Sequence, residues 1–238
     1  MENNVKTEIE IDYRQKIDKL RKKIRTSKQF DSAMQLALEI HAMTHTSIVS
    51  GRDQPTLCDT LLEGLKDEDY SVMPTSKDET IAWHLWHIAR IEDLVSNLLI
   101  AEQPQVFNDE WMTSLNVEIK DTGNAMSDEE IIVFSQKVNK QALIHYRNAV
   151  GCQTRNILRR LKAEDLKRKL KPEYLDRLVS EGGLLEDKKS IWLKDFWGKY
   201  TVSGLILLPL TLHHMLHLPD SIQIKAFIKN NKRVMENK

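Results

Sequence analysis

Residues 76–93 read SKDETIAWHLWHIARIED, and this stretch sets the fold. Ser76 followed three residues later by Glu79 is a capping-box pattern, in which hydroxyl and carboxylate satisfy backbone N–H groups orphaned at a helix start. The pattern predicts a helix beginning near Lys77. From there Ile81, Leu85, Ile88, Ile91, Leu94, Val95, Leu98 and Leu99 recur so that, at about 100° per residue, they share one broad face. His84 and His87 lie within that face. Imidazoles among core positions need partners, because an unpaired buried polar group costs about 1–3 kcal/mol.

Candidate partners stand far downstream in residues 210–217, LTLHHMLH. His213 and His217 are four apart, so on a helix they stand one above the other and continue a line through Ile206 and Leu210. Two histidines of one helix and one of a facing helix can converge on a cation in a bundle core and leave a coordination position open, as catalytic zinc sites do. Spacing does not choose between His84 and His87 as the third ligand. His214 points about a quarter turn away from the pair and reads as a supporting or surface group.

Together, the WHIARIED core, its Thr-Ile-Ala-Trp lead-in and the later His-x-x-x-His resemble the DinB-like (DinB/YfiT) family, over roughly residues 34–229. The resemblance implies a four-helix bundle and a metal-dependent enzyme. It places the metal ligands on His87, His213 and His217. Many relatives follow the last histidine with Gly-Gln, whereas His217 is followed by Leu-Pro-Asp-Ser-Ile-Gln. That departure bears on the shape of the substrate mouth.

Composition agrees with an all-α protein: 238 residues, enough for one sizeable core, with only 8 Gly and 6 Pro between long periodic runs. The 35 basic and 35 acidic residues cancel, so no basic excess marks a nucleic-acid surface. The longest nearly apolar stretch, 204–212, falls short of the roughly 20 residues of a membrane span. The N-terminus lacks a basic-then-apolar signal pattern, so the expected location is cytoplasmic. Cys58 and Cys152, in no Cys-x-x-Cys arrangement, read as buried structural thiols.

The expected organisation is a four-helix bundle with additional N-terminal and C-terminal helices: a charged helical arm over 1–27, a bundle domain over 28–230 and a polar tail over 231–238. In the arm, Tyr13, Ile17, Leu20 and Ile24 keep helical spacing, compatible with a packed amphipathic helix or a solvated arm. The first bundle helix is expected over 30–50, stopped by Gly51. It carries His41 and His45, read as a surface pair, as satisfied core histidines, or as lining for the cavity. A short helix is expected over 56–65, and a long surface segment over 104–124 with Phe107 and Trp111 as a lid or an anchor. One helix is expected from the Ser127/Glu130 capping box to about 170, with Ile131, Phe134, Val138, Ala142, His145, Ala149 and Cys152 on one face and Gly151 as a possible bend. Residues 190–200, with Trp192, Phe196, Trp197 and Tyr200, read as a dimer contact or a core plug. The last bundle helix, over 201–217, contains Pro209, which predicts a kink one turn before His213. A further helix starts after Pro219, capped by Asp220.

Three imidazoles suit zinc, nickel or iron without selecting among them. Glu92 could orient a ligand or pair with Arg90. Relatives of the family imply a thiol-dependent S-transferase, or a hydrolase, acting on a small molecule, with a low-molecular-weight thiol as partner and a homodimer as assembly. The contrasting reading is a non-catalytic bundle that binds a small molecule or serves a stress response. No residue is singled out as catalytic.

Overall fold

The computed structural model describes residues 2–76 and 78–236. Among them no named strand occurs; one isolated antiparallel bridge joins Lys169 and Thr201. In chain order the helices are α1 (Glu2–Lys23), α2 (Phe30–Thr44), α3 (Ser47–Ser50), α4 (Leu57–Leu62), α5 (Ile81–Asp93), α6 (Asp109–Leu115), α7 (Asp128–Lys137), α8 (Lys140–Arg160), α9 (Pro172–Ser180), α10 (Lys188–Gly198), α11 (Val202–Leu207) and α12 (His214–Glu236). π-helical segments prolong α5 over Leu94–Ile100 and join α11 to α12 over Leu208–Leu212.

The bundle consists of α2, α5, α8 and the α11–α12 run, with α5 at its centre. Every residue of α5 is buried, polar ones included. Its start differs from the capping-box expectation. Thr80 is the N-cap, in extended conformation, and its hydroxyl accepts from Trp83 N at 3.1 Å. Residues 78–80 are not helical, and Lys77, where the first turn is expected, lies outside the described residues. Glu79 turns instead toward His84 Nε2, 3.3 Å away.

Side chains Tyr13, Ile17, Leu20 and Ile24 of α1 and the residue just beyond it are buried in the same core as Ala37, Ile40, Leu98 and Leu205. The packed form of this segment is therefore the one observed. The first bundle helix is shorter than expected. It ends at Thr44, His45 is an extended C-cap, and the chain re-enters one turn as α3 before stopping at Gly51, left-handed at φ 69°.

The expected 127–170 helix is two. Val138 leaves the helical region and Asn139 caps α8, its side chain accepting from Ala142 N at 3.0 Å. The break shifts the phase of everything after it. Leu143, Tyr146, Arg147, Val150, Gly151 and Thr154 face inward, while His145 and Cys152 are exposed. Cys152 is thus not a buried thiol, whereas Cys58 is.

The last bundle helix runs on past the expected stop. Pro209 sits in the π-helical join, where its missing N–H costs little because the ladder is already interrupted, and Pro219 lies inside α12 rather than before a new helix. Asp220 accordingly is not a cap. Val202–Lys232 is long and apolar enough to cross a membrane by length and composition, yet it packs as a core helix beside α5 and α2. Trp197 of α10 is buried and plugs the core, whereas Trp192 is 47% exposed.

Candidate metal centre

Four residues of α5, Trp83, Trp86, His87 and Arg90, stand at i, i+3, i+4 and i+7, so they share one face. Each ends in an N–H group, and each finds a backbone carbonyl in the segment after α6. Arg90 Nε donates to Lys120 O at 2.9 Å, Trp86 Nε1 to Asp121 O at 3.0 Å, His87 Nδ1 to Thr122 O at 2.7 Å and Trp83 Nε1 to Gly123 O at 3.1 Å. Gly123, at φ 77°, allows this approach, since a Cβ there would stand 2.8 Å from Trp83 Nε1. The segment is an anchored strap. Phe107 and Trp111 secure it further against Trp86 and Tyr146, so they act as anchors and not as a lid.

The strap fixes the histidine. A carbonyl only accepts, so His87 Nδ1 carries the proton and, in the neutral ring, Nε2 presents a lone pair. Trp83 stacks on the ring at 4.4 Å and 9° and holds its plane. Across from it, His213 Nε2 lies 3.2 Å from His87 Nε2. His217 closes the group, its ring 4.9 Å from that of His87 and 4.7 Å from that of His213. One ligand atom from each of the three lies within 4.8 Å of the others. Two ligand nitrogens on a tetrahedral ion with bonds of ~2.0–2.1 Å stand ~3.3–3.4 Å apart, close to the separation of the facing nitrogens here. His213 Nδ1 is buried with no hydrogen-bond partner.

Burial and the neighbouring His217 push His87 down to about 3, against the opposing bond to Thr122. Burial, then His213, lowers His217 to about 2. Burial and His87 likewise hold His213 well below the usual histidine value. Three imidazoles that stay neutral at physiological pH are three available lone pairs.

His84, the other candidate from the sequence, is turned away from this convergence. Its Nδ1 meets Ser221 Oγ at 2.9 Å and its Nε2 meets Glu79. It borders His217 with ring centroids 5.2 Å apart. His214, read as a supporting or surface group, is fully buried, and so are His41, His45 and Glu92. Glu92 does not pair with Arg90; His41 Nε2 is 2.8 Å from its Oε1 and His45 Nε2 is 2.9 Å from its Oε2. Burial alone would raise the Glu92 carboxyl, but the facing His45 and His41 outweigh it and hold it well below the usual range. The ligand atoms of His41, His45 and Glu92 also lie within 4.8 Å of one another.

Arg90 serves a buried polar network. Its Nη1 donates to Tyr146 Oη at 2.8 Å and to Asp93 Oδ2 at 3.2 Å, its Nη2 to Gln105 Oε1 at 2.7 Å, and its guanidinium lies over Phe107 at 4.5 Å. Asp93 also accepts from Tyr146 Oη at 2.7 Å and from the backbone N–H of Val106 and Phe107 at 2.8 and 2.9 Å. Tyr146 is therefore part of the scaffold. Arg155 is spent on Leu38 O at 2.8 Å.

The sequence profile of the DinB superfamily matches residues 52–218, which include α5 and the His213–His217 pair, and the chain belongs to that superfamily. No curated protein matches the chain.

Proposed function

We propose that this member of the DinB superfamily is a metal-dependent enzyme that holds a divalent transition metal with His87, His213 and His217 and acts on a small molecule. The observation that carries the reading is the pair of imidazole nitrogens facing each other at 3.2 Å, one of them with its lone pair fixed by the bond to Thr122 O. Bound there, a zinc, nickel or iron ion supplies Lewis acidity, bringing the pKa of a coordinated thiol or water toward neutrality. The chain contributes the rest. Thr122 O and Trp83 orient His87, and the burial of His87 with the partial burial of His213 and His217 keeps the rings unprotonated. Three protein ligands leave a position for the reacting molecule.

A thiol-dependent S-transferase is the leading form of this activity and a hydrolase the second, distinguished by which nucleophile takes the open position. Cobalt-loaded protein tests this. A low-molecular-weight thiol such as glutathione should raise a sulfur-to-cobalt charge-transfer band in the wild type and not in His87→Ala. A pH-dependent ligand-field change without any thiol band would favour the hydrolase. The same thiol band in His87→Ala would sink the assignment. We also infer a cytoplasmic location, no nucleic-acid partner and a homodimer, the last supported by the exposed Trp192 on α10.

A further inference from the structure

A second cluster of buried side chains lies outside the His87, His213 and His217 group. It gathers His41 from α2, His45 from the extended residue that ends α2, Glu92 from α5 and His214 from α12, all with no solvent exposure. Around the carboxylate, His41 Nε2 is 2.8 Å from Oε1, while His45 Nε2 and His214 Nε2 are 2.9 and 3.4 Å from Oε2. Of these contacts, the His41 one has hydrogen-bond geometry. His45 Nε2, Glu92 Oε2 and both ring nitrogens of His214 are buried without a hydrogen-bond partner. Polar atoms that converge this closely in the interior, with several lacking a well-aligned hydrogen bond, are what a shared cation would satisfy.

We propose that His41, His45 and Glu92, with His214 beside them, form a second, buried site for a divalent transition metal of the zinc type. The ligand atoms of the first three lie within 4.8 Å of one another, and imidazole nitrogen and carboxylate oxygen are the borderline donors that zinc takes; with no solvent exposure at any of the four side chains, no substrate reaches the ion, so the site is structural. It ties three of the four bundle helices at one point. Arg147 stands on the far side of His45, its Nη1 3.4 Å from His45 Nδ1. For His41 and His45 to give their Nε2 lone pairs, the proton of each ring moves to Nδ1, which releases the His41 Nε2 bond to Glu92 Oε1 and the Arg147 contact to His45 Nδ1. Arg147 keeps its 3.0 Å bond to Thr44 O. The rings of His41 and His45, stacked at 4.0 Å and 19°, tilt toward each other on loading so that both lone pairs meet the ion. Gly151 lets the His45 ring sit here at all, because a Cβ there would stand 2.6 Å from His45 Nδ1.

The test uses the full chain, purified without a histidine tag, stripped with chelator and reloaded with zinc, with metal content and melting temperature both measured. Wild type should hold about two equivalents, the His87→Ala/His213→Ala double variant about one, and Glu92→Gln about one. Zinc should still raise the melting temperature of the double variant. A double variant that is folded by circular dichroism and binds no zinc overturns the second site, as does Glu92→Gln with wild-type content. If the double variant does not fold, Glu92→Gln in the intact chain decides alone. A single equivalent that is lost in Glu92→Gln but retained in His87→Ala would uphold the second site and sink the three-histidine reading instead.

Discussion

On α5, a tryptophan pair, a histidine and an arginine share one task, which is to hand an N–H to successive carbonyls of residues 120–123. For His87 that hand-off sets the tautomer, so the metal reading rests on a backbone atom that no side-chain substitution removes. Gly151 is a second point of tight fit. Ala at this position places a Cβ 2.6 Å from His45 Nδ1 and 3.0 Å from Val49 Cγ1, and should cost about 1–3 kcal/mol in urea unfolding. Unchanged stability would mean that His45 has room to move. Protonation offers another check, in the metal-free chain. His87 titrates near 6.5 unfolded and near 3 folded, so between those values the unfolded chain binds the proton and the folded one does not. Stability should be complete above pH 6.5 and fall on acidification toward pH 3, by about 1.4 kcal/mol per pH unit from this residue. Denaturant titrations at several pH values measure it, and a flat profile contradicts neutral burial. The shared task of Trp83, Trp86, His87 and Arg90 has no counterpart in the sequence reading, because their acceptors are backbone carbonyls, which leave no mark on a sequence. For Glu92 and His214 the sequence left a supporting role and a surface role both open, because a charged or polar residue reads as either until its partners, here His41 and His45, are brought from another helix.

At the scale of elements, irregular backbone falls where the site-bearing helices need it. The π-helical segment Leu208–Leu212 precedes His213, and Thr211 Oγ1 bonds Leu207 O at 2.7 Å within it. Tyr13 of α1 holds the segment from outside, donating to Thr211 O at 2.6 Å. Tyr13→Phe should cost about 1 kcal/mol of stability and weaken metal binding by loosening the turn that aims His213. Equal metal affinity in a competition titration would separate α1 from the site. Asp93 is the stronger support. Removing it leaves Arg90 buried without its carboxylate and frees the backbone of Val106 and Phe107, so Asp93→Ala should lose about 3–5 kcal/mol. A loss under 1 kcal/mol in chemical unfolding would refute the network's structural role. Pro209 announced an interruption in the sequence, though not its π-helical form. Asn139 was the signal for the α7–α8 break, and it was easy to pass over because Asn at a single position inside a periodic run does not by itself stop a helix. Once that break went unread, His145 and Cys152 were assigned to the wrong face.

For the whole molecule, the long periodic runs sufficed to give an all-α chain. The family resemblance carried by WHIARIED and the later His-x-x-x-His put His87, His213 and His217 in one group, and one ligand atom of each lies within 4.8 Å of the others. The second cluster was out of reach because it depends on α2 ending at Thr44, which turns His45 away from ideal helical register. Assembly is tested separately: a homodimer through α10 should sediment as a dimer at micromolar concentration and become monomeric in Trp192→Glu, whereas a monomeric wild type would end that proposal. Metal content addresses the central claim most directly, measured on untagged protein for wild type, His87→Ala, His213→Ala and His84→Ala. The account predicts that His87→Ala and His213→Ala each lose about one equivalent of metal relative to wild type while His84→Ala keeps the full content. Undiminished metal in His87→Ala, or loss in His84→Ala alone, would contradict it.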